Sequence, residues 1–145
     1  MKRALLMLLL ASPVYAGDSS GFDPAAIDQC LGAAETQGAK ADCADTGMQA
    51  CLDYASAKYK GDDPDFPMSN CLDASHQAWE AKLTATYQDA LNRLPAEPLR
   101  KAERDWITYR DALCALSDGD LAQARCVRDE TARQTALLMS LSESS

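Results

Sequence analysis

Six cysteines behind an export signal constrain this chain more than any other feature. Met1-Lys2-Arg3 is a short basic head, and residues 4–11 form an apolar run too short to cross a bilayer as a helix. Val14 and Ala16 then satisfy a signal peptidase, so residues 1–16 are expected to be a signal peptide removed after Ala16. Gly17 stands where a lipoprotein would carry cysteine, and no later segment is apolar enough to span a membrane. A periplasmic or secreted protein is expected, with no membrane anchor in its mature form. Cys30, Cys43, Cys51, Cys71, Cys114 and Cys126 all lie in the mature part, where an oxidising compartment favours three disulfides.

The remaining length, residues 17–145, suits one domain that buries a core and gains from covalent staples. Without Lys2 and Arg3 the chain has 12 basic and 22 acidic residues, a formal charge of −10. Such a charge argues against nucleic acid as a partner and would attract cationic ones, although solubility alone is the commoner reason for it. There is no Cys-x-x-Cys pair and a single histidine, so neither a metal nor another cofactor is expected.

Asp23-Pro24 opens a first helix, read as residues 24–37, with Asp as cap and Pro in the first turn. Gly38 and Asp45-Thr46-Gly47 punctuate a short piece carrying Cys43, and a helix from Met48 to about Tyr59 follows. The segment from Gly61 to Pro67 holds two prolines, a glycine and three carboxylates, and stops it. Ser69 is expected to cap a helix from Asn70 to Leu94 on which Trp79, Leu83, Tyr87, Ala90 and Leu94 recur at helical spacing. Past Pro95 and Pro98, Leu99, Ala102, Trp106, Tyr109, Leu113 and Leu116 mark the apolar stripe of the next helix, with Glu97 and Lys101 paired outside it. Beyond a turn at residues 117–120, Leu121, Ala124, Val127, Thr131, Leu138 and Leu141 supply a last amphipathic helix. Short turns between such helices predict an all-α, disulfide-stapled antiparallel bundle.

Cys114 and Cys126 flank the turn between the last two helices and are expected to pair. Cys51 with Cys71 would close the acidic loop, which leaves Cys30 with Cys43; for these four the sequence leaves the pairing open.

No catalytic constellation can be named. His76 lacks a nucleophile held beside it, and Cys71 is five residues away, off its helical face. Trp79 and Trp106 read as core residues. Arg110 falls at the edge of a buried stripe, where its planar fork can clamp a carboxylate or a neighbouring helix. A binding or structural module is expected, not an enzyme.

The run Cys71-Leu72-Asp73, Trp79, Leu83, Tyr87 and Leu91, then Trp106-Ile107-x-Tyr109-Arg110-Asp111-x-x-Cys114, then Cys126 and Thr131, resembles the LprI-like lysozyme-inhibitor domain. The likeness spans about residues 70–141 and leaves residues 24–69 as a Cys-containing N-terminal extension. It falls on Trp106, Arg110, Asp111, Cys114, Cys126 and Thr131. Family members often carry Arg three residues after that Thr, whereas Gln134 stands here and Arg133 precedes it. The resemblance implies a small helical extracytoplasmic protein that binds a basic lysozyme; the alternative is a structural or assembly factor for another envelope protein. The expected contact is the acidic loop, with Asp62, Asp63 and Asp65 supplying charge and Phe66 an apolar anchor on a proline-stiffened segment. The same loop also reads as a plain solvated connector.

Overall fold

The computed structural model describes residues 20–145; the signal peptide expected at residues 1–16 lies outside them. Six α-helices and one 3-10 turn, with no strand among the described residues, give the expected all-α fold. They are α1 (Ala25–Ala33), α2 (Gln37–Ala41), the 3-10 turn Asp42–Asp45, α3 (Met48–Lys58), α4 (Phe66–Leu91), α5 (Ala96–Cys114) and α6 (Asp120–Glu143).

Several boundaries differ from the sequence reading. The first helix ends at Ala33 and not at residue 37, and Gly38 lies within the separate α2. Helix α4 begins at Phe66, four residues before the expected Asn70, and ends at Leu91. Pro67 is its second residue; a proline there lacks only an N–H that the first turn leaves unpaired anyway. Pro98 sits in the first turn of α5 for the same reason. The expected Glu97–Lys101 pair does not form: Glu97 binds Arg100, and Lys101 binds Asp105.

Helices α4 and α6 make the most extensive contact and form the axis of the bundle. Their meeting faces are small: Ala74, Ser75 and Ala90 on α4, Ala132 and Ala136 on α6. Small side chains let two backbones approach closely, which explains why the buried stripe of α6 differs from the expected one. Its buried residues are Arg128, Thr131, Ala132, Thr135, Ala136, Leu138 and Ser142, while Leu141 is exposed. Thr131 and Thr135 satisfy their hydroxyls on the carbonyls one turn back, Val127 O and Thr131 O, both at 2.8 Å.

Two apolar clusters share this axis. One gathers Phe22, Ile27, Leu31, Met48, Leu72 and Trp79 from the N-terminal helices and the first half of α4. Trp79 is fully buried and its indole N–H donates to Ala44 O at 3.2 Å. The other gathers Leu83, Ala90, Leu99 and Leu138, with Tyr87, Leu91, Leu94 and Trp106 packed around it. Disulfides join Cys30 to Cys43, Cys51 to Cys71 and Cys114 to Cys126, with Cα separations of 5.8, 5.9 and 5.4 Å. The second staples α3 to α4 at the base of the acidic loop, and the third staples α5 to α6.

Arg128 is the residue that holds α6 to the N-terminal part. It is 0% exposed, yet every nitrogen is used: Nε donates to Asp129 at 2.7 Å, Nη1 to Ser75 at 3.2 Å and Nη2 to Asp45 at 2.6 Å. A buried charge is tolerable only when so matched. Arg128→Ala is expected to lower unfolding free energy by about 3–5 kcal/mol, because it strands its partners around a cavity. Arg133→Ala, on the exposed side of α6, should change it by about 0–1 kcal/mol. Urea denaturation of the two variants checks the contrast.

Candidate functional site

Two surface regions carry the residues singled out in the sequence. One is the loop between α3 and α4. Asp62, Asp63 and Asp65 are exposed there, and local bonds shape the backbone: Asp65 N–H donates to Asp63 Oδ1 at 3.0 Å and Asp63 N–H to the Tyr59 hydroxyl at 3.3 Å. Phe66 is the first residue of α4 and not part of the loop, and it remains 42% exposed. Its ring stacks on Tyr59, with centroids 4.3 Å apart and planes 17° from parallel. Tyr54, also exposed, lines the same shallow depression as Tyr59 and Phe66. Its ring packs on Gly21, whose positive φ of 83° needs glycine and where a Cβ would lie 2.3 Å from the Tyr54 ring. Carboxylates and aromatic faces therefore stand together on one stapled edge.

The other region lies between α4 and α5, where the signature residues Trp106, Arg110, Asp111 and Thr131 converge. Arg110 Nη1 donates to Glu80 Oε1 on α4 at 2.7 Å and to Thr131 Oγ1 on α6 at 3.3 Å, and Nε donates to Asp111 at 3.0 Å. Its side chain is 12% exposed, and its guanidinium carbon lies 5.0 Å from the centre of the Trp106 ring. One arginine thus joins three helices. Glu80 Oε1 also accepts from His76 Nε2 at 3.0 Å, which places the single histidine one turn from this cluster.

Beyond this clamp and the apolar cluster around Leu83, Ala90 and Leu99, α5 leaves a gap against α4. An open groove of about 350 Å³ separates them. Leu83, Thr84 and Tyr87 line it from α4, and Arg100, Arg104, Trp106 and Ile107 from α5. Trp106 is therefore half-buried at a groove wall, which corrects its expected place in the core. Tyr109 and Leu116, expected on the buried stripe, are 58% and 83% exposed. The face that α5 buries instead carries Leu99, Glu103 and Cys114. Glu103 accepts from Gln134 Nε2 at 2.5 Å, so the amide at the position where relatives often have Arg reaches the carboxylate of α5. Burial raises the Glu103 pKa above its ordinary 4.5, and the Gln134 hydrogen bond only partly opposes this.

Among the described residues no group of His, Cys, Asp and Glu is placed to hold a metal, and no helix is long and apolar enough to cross a membrane. A family model described as lysozyme inhibitor LprI matches residues 55–138, more than half of the chain. The chain belongs to the LprI lysozyme-inhibitor family. No curated protein and no solved structure matches it. The LprI match begins earlier than the sequence likeness and takes in the acidic loop, the Arg110 cluster and the groove. Cys51, Tyr54 and the Arg128 partner Asp45 lie outside it, so residues beyond the LprI region complete both its core and its aromatic edge.

Two outcomes follow from the LprI signature and its substitution at Gln134. Arg110→Ala should lower stability by about 2–3 kcal/mol against little change for Arg100→Ala on the open rim, read as denaturation midpoints. Glu103, with its folded pKa raised, contributes stability that is present below about pH 4 and lost as pH rises through the folded value. Glu103→Gln keeps an acceptor for Gln134 and removes the charge. It should be more stable than the parent at pH 7 and lose that advantage near pH 4, as measured by urea unfolding at both.

Proposed function

We propose that the exported chain is a non-catalytic inhibitor that binds a basic lysozyme and slows it. Membership of the LprI family carries this reading. Its formal charge of −8, or −10 once residues 1–16 are removed, suits a strongly cationic partner and would speed encounter with it. Export to the periplasm or outside the cell would bring the two proteins together.

The proposed contact is the edge formed by Asp62, Asp63, Asp65 and Phe66. Three exposed carboxylates supply the steering field. The Phe66–Tyr59 stack and the nearby Tyr54 supply apolar area, and the Cys51–Cys71 bond fixes the hairpin beneath, so little ordering is left to do on binding. Aromatic anchors surrounded by charge are the pattern of an energetic centre within a polar rim.

Turbidity assays of bacterial cell lysis by several lysozyme types, with purified mature protein, test the proposal. Lysis should slow in proportion to added protein, and less so as ionic strength rises. Replacing Asp62, Asp63 and Asp65 by Asn should reduce the association rate by about tenfold, whereas Phe66→Ala should mainly speed dissociation. Undiminished lysis by every lysozyme type at large excess of the protein would reject inhibition and favour a role in binding another envelope protein.

A further inference from the structure

The groove between α4 and α5 combines an apolar wall with unmatched positive charge, on a chain whose net charge is −8. Leu83 and Tyr87 are one turn apart on α4, and Trp106 and Ile107 face them from α5. The charges lining it do not cancel. Arg110 is matched by Glu80 and Asp111, and Arg100 by Glu97. Arg104, one turn from Arg100, lines the groove with a side chain that has no hydrogen-bond or ion-pair partner among the described residues. Glu103 turns its carboxyl to Gln134 and makes no ion pair with Arg104.

We propose that this groove binds a small amphipathic carboxylate, its head held by Arg104 with Arg100 and its aliphatic or aromatic body laid against Leu83, Tyr87, Trp106 and Ile107. A guanidinium fork matches a carboxylate through two parallel hydrogen bonds. The apolar wall disfavours a fully polar anion, and the unmatched arginine disfavours a cation or a neutral body. A volume of about 350 Å³ is at the small end for ligand sites, which suits a single acyl chain or aryl group. A free fatty acid and an anionic phospholipid share an acyl body and an anionic head, carboxylate in one and phosphate in the other, and a guanidinium fork pairs with both. The site is independent of lysozyme binding, because the acidic loop belongs to a different edge.

Titration with decanoate below its micelle concentration, followed by calorimetry and tryptophan emission, tests this on the mature protein. Saturable one-to-one binding is expected, with a shift in emission from Trp106, because Trp79 is fully buried elsewhere. Decanol should bind at least about tenfold more weakly, and decyltrimethylammonium more weakly still. Arg104→Gln should weaken decanoate about tenfold and leave decanol unchanged, whereas Ile107→Asp should weaken both. Both positions are exposed, and circular dichroism confirms that the variants fold. Binding to phosphatidylglycerol vesicles that decanoate displaces would support the proposal with lipid as the source; decanoate binding without vesicle binding would support it with free acid. No decanoate binding, equal affinity for all three amphiphiles, or full affinity in Arg104→Gln would overturn it. The Asp62, Asp63 and Asp65 variants should bind decanoate normally, so loss of lysozyme inhibition and loss of this site are separately visible.

Discussion

The buried guanidinium of Arg128 dictates where three pieces of the chain must meet. A charge with no exposed surface must find a partner for each donor, and Arg128 finds them on the 3-10 turn, on α4 and on its own helix. The register of α6 against α4 is thereby fixed by direction as well as by fit. Apolar contact between small residues such as Ala74, Ala132 and Ala136 would tolerate sliding; a fork aimed at Ser75 and Asp45 would not. Everything hung on the α4–α6 pair inherits that register.

Helix α5 shows what happens away from that constraint. It is tied to α6 by the Cys114–Cys126 bond and by Gln134–Glu103, and to α4 through the Arg110–Glu80 pair and the apolar cluster around Leu83, Ala90 and Leu99. Polar clamps hold helices at a distance that apolar interdigitation would close, so a groove remains between α4 and α5. Trp106 is left as a wall, and Tyr109 and Leu116 as surface. The same residues that mark the LprI family thus act first as architecture, and the groove is a by-product of how they bond.

Much of this was legible in the sequence, and the failures have physical causes. Helical spacing and proline breaks gave the elements, and the position of cysteines beside turns suggested the staples seen in the structure. The start of α4 falls at Phe66 and not at Asn70 because Pro67, which looks like a stop, sits in a first turn where proline is tolerated. Arg128, Lys40 and Glu103 were missed because a hydrophobic stripe counts charged residues as exterior, although Lys40 is buried against Glu143 and Glu103 against Gln134. The one available signal was charge interrupting an apolar face, as Arg128 does between Ala124 and Ala132. The pairing of Tyr59 with Phe66 across the loop, and Tyr54 beside them, depends on tertiary closure that no local pattern encodes.

The order of the disulfides along the chain has a consequence for how the molecule is made. Cys30 joins Cys43, Cys51 joins Cys71, and Cys114 joins Cys126, so each cysteine bonds to its neighbour in sequence and no bridge straddles another. A chain delivered N-terminus first presents its native partners in consecutive couples. An oxidant that meets it during delivery can close one couple before the next arrives. The competing bond between Cys43 and Cys51 becomes available only when the first couple is still open as Cys51 emerges. Consecutive pairing is thus the one connectivity in which every bridge can close in chain order, before the next couple has appeared.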